Sequence, residues 1–205
     1  MSISNYGELK TATENWLHRT DLTSRIPEFI SIAEAKIAND VRCNAQQTRS
    51  TADVSTQYFD VPTGYLEIRD IHVNSDPIQP LTYLTPKVLS EKFPSSTTGK
   101  PKFYTIHGDE IEVKPVPSTT YEIEINYIKR FTAFSDDADY NWLLTNQPHI
   151  YLYAALISAN EYTEDTEQLT KYQTLYNNAI NTLNKSELKA KHGNILVAKV
   201  NTPTP

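Results

Sequence analysis

Ile150-Tyr151-Leu152-Tyr153-Ala154-Ala155-Leu156-Ile157-Ser158-Ala159-Asn160-Glu161-Tyr162 is the stretch on which the fold turns. It is apolar nearly all round at helical period, and a helix of that kind belongs at the centre of a core or an interface. Its longest apolar part, Ile150 to Ala159, is far short of the roughly 18 residues of a membrane span. Gln147-Pro148 precedes it, and the helical period itself resumes after Ser135. Downstream, Asp165 is placed to cap a final helix, whose buried stripe is Leu169, Tyr172, Tyr176, Ala179-Ile180 and Leu183.

The N-terminal segment supplies further helices for such a core. Tyr6, Leu9, Thr13, Trp16 and Leu17 recur at spacings of three or four and share one face. Thr20-Asp21 offers an N-cap, and Leu22, Ile26, Phe29-Ile30, Ala33, Ile37 and Val41 continue the period. Pro27 sits in the first turn of this second helix or marks its late start. Two amphipathic helices joined this closely should pack as an antiparallel hairpin.

Between these helical regions the period changes, after residue 50. Strands are expected at Thr56 to Val61, at Tyr65 to Val73 and, briefly, at Ile78 to Leu84. In the second, Leu66 and Ile68 fall out of phase with Ile71 and Val73, which calls for a bulge between Ile68 and Ile71. Thr85-Pro86 opens a short helix that Pro94 ends, and residues 95–99 read as loop. Phe103 to Ile106 and Glu110 to Val113 flank His107-Gly108-Asp109 as a hairpin, and Tyr121, Ile123, Ile125 and Tyr127 alternate with polar residues in a half-buried strand. Beyond Ser186 the chain is polar to Asn194. A short β-prone run, Ile195-Leu196-Val197-Ala198-Lys199-Val200, then leads to Thr202-Pro203-Thr204-Pro205. An apolar strand of this kind needs a partner, and strand addition to another subunit would supply one.

The expected class is therefore α+β: a helical bundle with a β-rich insertion between the N-terminal helix pair and the C-terminal helices, plus an extended C-terminal arm. Residues 1–52 and 132–186 are expected to form the helical domain, 53–131 the β-rich insertion and 187–205 the arm.

Composition narrows the function classes. A chain of 205 residues should bury roughly 70% of its unfolded surface and needs no staples. With 39% hydrophobic and 21% charged residues, wholesale disorder is excluded. A net charge of -6 is a poor match for a phosphate-gripping protein, and a surface that DNA slides past without sticking would equally be acidic or neutral. The single cysteine, Cys43, rules out an internal disulfide and a cysteine-based zinc site. Met1 to Tyr6 lacks the basic-then-apolar pattern of a signal peptide. Tyrosine reaches 13 residues, a composition that suits contact surfaces.

Motifs for chemistry are scarce. His18, His72, His107, His149 and His192 are too far apart for zinc spacing. Gly99-Lys100 resembles the end of a phosphate loop, but Pro94 stands where its first glycine belongs and Pro101 replaces the magnesium-binding hydroxyl. Asp136, Asp137 and Asp139 lack the glycine and glutamate of a calcium loop and read as a polar loop with capping carboxylates. Glu161, Glu164, Asp165 and Glu167 could pair for glycoside hydrolysis, yet acidic residues at a helix start are expected from the helix dipole. Lys129-Arg130-Phe131 and Lys100 to Tyr104 mix basic and aromatic residues, as solvated strand ends also do. No catalytic, cofactor-binding or metal-ligating residue is assigned.

Three stretches together carry a resemblance. The first is Tyr6-Gly7-Glu8-Leu9 through Trp16-Leu17-His18-Arg19 into Arg25-Ile26-Pro27-Glu28-Phe29-Ile30 and Ala33-Glu34-Ala35-Lys36-Ile37. The second is Gly99-Lys100-Pro101-Lys102-Phe103-Tyr104, then Val113-Lys114-Pro115-Val116-Pro117 and Tyr121 to Tyr127. The third is Asn141-Trp142-Leu143-Leu144 with Pro148 and Tyr151 to Leu156. In this order and spacing the chain resembles the head-to-tail adaptor, or connector, proteins of tailed bacteriophages, the short-tailed ones in particular.

That resemblance implies a structural protein of the virion rather than an enzyme. It would be assembled in the host cytoplasm into a ring, usually of twelve, beneath the portal. The ring would extend the DNA channel, let DNA pass during ejection without specific binding, and offer a platform to tail nozzle or fibre proteins. It needs no cofactor and no membrane. The helical part would form the ring wall, with Trp142, Tyr151, Tyr153 and Tyr162 as candidates for contact between subunits. Ile195, Leu196, Val197 and Val200 would belong to an arm that reaches the portal or a neighbour. Other readings are a nozzle or gatekeeper component of the tail, a cell-wall hydrolase using the acidic cluster near Glu161, and a DNA-binding module.

Overall fold

In chain order the helices are α1 (Tyr6–Leu17), α2 (Ile26–Asp40), α3 (Pro86–Lys92), α4 (Trp142–Asn146), α5 (Pro148–Tyr162) and α6 (Thr166–His192). The strands are β1 (Gln47–Val54), β2 (Tyr58–Asp60), β3 (Tyr65–Val73), β4 (Gln79–Pro80), β5 (Thr82–Tyr83), β6 (Thr98–Gly99), β7 (Phe103–His107), β8 (Glu110–Lys114), β9 (Val116–Pro117) and β10 (Tyr121–Lys129). This computed structural model describes residues 3–192, with side chains up to Glu187. Contacts divide the chain into a unit made of Met1–Ala45 and Phe131–Pro205 and a second unit, Gln46–Arg130.

In the helical unit α5 is the axis. Ile150, Tyr151, Leu152 and every residue from Ala154 to Asn160 are buried, because α1, α2, α4 and α6 all pack on α5. The alanines let the neighbouring helices approach closely, and the leucines and isoleucines fill the space between them. The core they share includes Leu9, Ile26, Ile30, Ala33 and Ile37 from the first two helices and Tyr172, Tyr176, Ile180 and Leu183 from α6.

Local chemistry sets where these helices begin. Asn5 caps α1 by accepting the Glu8 N–H at 2.9 Å, while the Glu8 carboxylate reaches back to the Ser4 N–H and hydroxyl, both at 2.7 Å. Asn141 caps α4 through the Leu144 N–H at 3.0 Å, and Asp165 caps α6 through the Gln168 N–H at 3.1 Å, as its position suggested. The expected cap at Thr20-Asp21 does not form. Asp21 instead accepts two bonds from the Arg19 guanidinium, at 3.0 and 2.6 Å, and the chain makes a 3-10 turn over Thr23–Arg25 before α2 starts. Pro27 then occupies the first turn of α2, where a missing N–H costs nothing.

The second unit is built from two sheets of order β1-β10-β3-β4 and β2-β8-β7-β5, with a small pair β6-β9. Ile71, Val73, Ile123, Ile125 and Tyr127 from the first sheet meet Tyr104, Ile111 and Val113 from the second in one apolar core. The bulge expected in β3 is present: Asp70 pairs with Asn126 and Ile68 with Tyr127, leaving Arg69 as the extra residue. The β7–β8 hairpin turns at Gly108, whose φ of 60° suits glycine.

Elsewhere the strands depart from the pattern reading. β1 begins at Gln47, earlier than the change of period indicated. It is a sheet-edge strand with mostly exposed residues, so it carries no apolar alternation. The stretch Ile78 to Leu84 is two short strands, not one. Bonding to β3 ends at Leu81, whose N–H donates to the Ile71 carbonyl at 2.8 Å, and Thr82 donates to the Lys102 carbonyl at 2.9 Å as the chain crosses to the other sheet. Thr85 sits at the cap position of α3, but its side chain makes no capping bond. Thr98–Gly99, read as loop, pairs in parallel with Val116–Pro117.

α6 stays helical past Ser186 to His192, and the Glu187 carboxylate accepts the Asn44 N–H at 2.7 Å. Ile195, Leu196, Val197 and Val200 lie outside the described residues.

The central place of α5 has a mechanical consequence. Leu156→Ala should cost about 2–5 kcal/mol, the range for a cavity in a tight core. Urea unfolding followed by the far-UV helix signal would show a midpoint close to wild type if α5 were not central.

Candidate interaction surface

The aromatic residues of the helical unit sort into those that hold it together and those that remain on its surface. Tyr151 is 1% exposed. Its ring lies 5.1 Å from that of Phe134, and its hydroxyl accepts a bond from Asn141 Nδ2 at 2.9 Å. Burial pushes the phenol well above its ordinary pKa, partly offset by that Asn141 bond. A side chain so enclosed has nothing to present to another subunit, so Tyr151 serves the core rather than an interface. Helical period could not separate it from Tyr153, because an apolar helix has no wet face to count from.

Trp142 and Tyr162, by contrast, are 40% and 53% exposed. Trp142 opens α4 immediately after its Asn141 cap. Tyr162 ends α5, with its ring 5.7 Å from Phe29 and the Arg25 guanidinium 5.2 Å from its centroid. Tyr153 is half-buried in a ring cluster. Its centroid lies 6.2 Å from Trp16, 6.4 Å from Tyr172 and 5.9 Å from His149. Burial lowers the His149 pKa, which favours the neutral ring in this setting.

Two surface aromatics escaped the sequence reading. Trp16, assigned to the buried face of α1, is 46% exposed because it lies at the C-terminal edge of the packed stripe. Tyr140 is 72% exposed, just outside α4. Its place directly before a helix cap, with no helical partner for its ring, was the one available signal.

Beside Trp16 lies a cleft of about 450 Å³ lined by Leu17, His18, Arg19, Asn160, Lys171 and Tyr172, among others. Of the acidic cluster Glu161, Glu164, Asp165 and Glu167, only Asp165 lines it. All four residues are exposed, and the Asp165 carboxylate is engaged as the α6 cap.

The aspartates before Tyr140 form a brace rather than an ion site. Asp139 Oδ2 accepts the Ser135 N–H at 2.6 Å, the Asp136 N–H at 2.7 Å and the Ser135 hydroxyl at 2.9 Å. Asp137 pairs with Lys10. The backbone carbonyls of Asp139 and Asp137 accept the N–H groups of Tyr6 and Gly7 at 2.8 and 2.9 Å, so the loop closes over the start of α1. A Cβ on Gly7 would come within 3.3 Å of the Asp137 backbone oxygen and Cβ, so the close approach depends on glycine.

Among the described residues no group of histidine, cysteine, aspartate or glutamate side chains could hold a metal ion. No described helix is long and apolar enough to cross a membrane.

The Asp139 brace has a pH signature. Hydrogen bonds from the Asp136 and Ser135 backbone hold its carboxyl below the ordinary aspartate range. A depressed carboxylate contributes stability that is present above its unfolded pKa and lost as pH falls through the lower, folded value. Carbon NMR titration should therefore give Asp139 a midpoint below that of free aspartate; a midpoint at or above it would show that the brace is absent in solution.

No curated protein matches the chain. The family model of the SU10 adaptor protein matches residues 4–196, nearly its whole length, and the chain therefore belongs to that family of phage head-to-tail adaptors.

Proposed function

We propose that this adaptor is a ring subunit, twelve copies of which sit beneath the portal at the head-to-tail interface of the virion. The ring extends the DNA channel and gives tail nozzle or fibre proteins a platform. The observation that carries this reading is the set of rings left uncovered on the helical unit: Trp16, Tyr140, Trp142 and Tyr162. Exposed aromatic side chains are the favoured anchors of protein–protein contacts. A closed ring needs two different patches on each subunit, each neighbour pair burying on the order of 1,600 Å² or more. Trp142, Tyr153 and Tyr162 belong to that contact surface, and Ile195, Leu196, Val197 and Val200 to an arm that docks on the portal or a neighbour.

The net charge of -6 supports a passive channel, because DNA gains no counterion-release affinity from an acidic wall. On this reading the protein works without turnover. It is made in the host cytoplasm and carried in the particle, and DNA crosses it during ejection.

Electron microscopy of the purified protein mixed with its portal should show rings on the portal face; protein that stays monomeric and never joins the portal would overturn the proposal. The chain's two tryptophans, Trp16 and Trp142, give a second measure. Their fluorescence should shift to the blue and resist acrylamide on assembly, whereas unchanged quenching in assembled rings would place both outside the contacts.

A further inference from the structure

Three of the four edge strands of the two sheets are short: β2 has 3 residues, and β4 and β5 have 2 each. The fourth, β1, has 8, contains no proline and pairs with β10 without a break in register. Among the described residues no strand pairs with its other edge, which presents main-chain N–H and C=O groups.

The side chains of β1 leave that edge unfinished. Ser50, Ala52 and Val54 stand opposite Ile125, Ile123 and Tyr121 on the core side and are small beside them. Ser50 and Ala52 are only half-buried. On the other side Arg49 lies 3.9 Å from Glu124, and His72 lies 2.9 Å from Asp70. Asp53 and Glu122 face each other directly, a like-charge pair that no described cation offsets.

The chain itself contains a strand that fits. Ile195 to Val200 is a six-residue run, and β1 is the one edge among those described that is long enough to pair with all of it. With Lys199 on the wet side, beside Asp53 and Glu122, the period of two puts Leu196, Ala198 and Val200 on the core side, beside the small residues of β1. Residues 188–205 hold Lys189, Lys191 and Lys199 and no acidic residue. Polar side chains give a stray apolar strand little to bury, so the strand that adds to β1 is one that assembly holds beside it.

Direction selects the copy. The Glu187 carboxylate accepts the Asn44 N–H at 2.7 Å, just ahead of β1. From Glu187 the rest of α6 and the link Gly193-Asn194 reach at most about 18 Å. The far end of β1 is about 24 Å from its start. Within one chain the run would therefore start beside the start of β1 and lie parallel to it. Every pairing in this sheet is antiparallel, the more stable ladder. Another copy's β1 is free of that restriction. One donor run and one acceptor edge per chain also make the head-to-tail contact that a ring requires.

We infer that Ile195 to Val200 of one copy adds as an antiparallel strand to the open edge of β1 in the next copy. This rests on the ring reading above and names a contact that closes it.

The test mixes two full-length variants, Thr51→Cys and Val197→Cys, under conditions where rings form, and adds a short bismaleimide. Cys43 is buried and stays out of the reaction. Cross-linked dimers should form in the mixture and not within either variant alone. A chain carrying both substitutions should link into a ladder of multimers. Links confined to single chains, or to the portal in rings built on it, overturn the inference and leave the ring reading standing, as do rings with no link at all. Failure of wild-type protein to form rings, with or without the portal, overturns both. In parallel, amide hydrogen exchange across residues 47–54 should slow by about tenfold or more on assembly of the wild type. Val197→Pro, which removes a ladder donor outside the folded units, should abolish that slowing, whereas Thr202→Ala should keep it. Exchange in β1 that is unchanged by ring formation counts against the inference.

Discussion

The helical unit depends on one constraint: α5 has almost no face that water can touch. From Ala154 to Asn160 no residue is exposed, so the helix is stable only when α1, α2, α4 and α6 surround it. That requirement explains why the chain returns to this unit after Arg130. The first two helices alone would leave their apolar stripes half-covered, and α5 alone would be insoluble. The small side chains of Ala154, Ala155 and Ala159, all fully buried, let four neighbours crowd round a single axis.

The same packing decides what is left over. Once Tyr151, Tyr172 and Tyr176 are drawn inward, the bundle has no room for Trp16, Tyr140, Trp142 and Tyr162, which stay on the surface. Tyr176 is fixed at its outer end by its hydroxyl bond to the exposed Asp40 at 2.9 Å, and burial with that carboxylate beside it pushes its phenol far above the ordinary range. Surface rings on a rigid helical support lose little conformational freedom when a partner covers them. The brace of Asp137 and Asp139 serves the same end, since it holds Tyr140 and the start of α4 against α1.

The β unit follows a different logic. Its two sheets bury one shared core, and the chain passes between them at Leu81, a buried residue flanked by Pro80 on one side and the short parallel pairing of β5 on the other. β1 stays at an edge, polar and mostly exposed, held by pairing to β10 along its whole length. An edge of that composition resists unwanted pairing with other chains.

Periodicity alone determined the class of this protein and the succession of helical, β-rich and helical regions. The helices at both ends, the β7–β8 hairpin, the bulge in β3 and the Asp165 cap were all legible, because each rests on local spacing or on one residue's own chemistry. β1, the split at Pro80 and the true start of α2 were not, since edge exposure, a sheet-to-sheet crossing and a competing Arg19–Asp21 pair depend on distant or non-periodic contacts. The candidate surface was half legible. Sequence named the aromatic residues, but only tertiary packing sorted Tyr151 into the core and Trp16 and Tyr140 onto the outside, because burial in an all-apolar helix is set by what surrounds it.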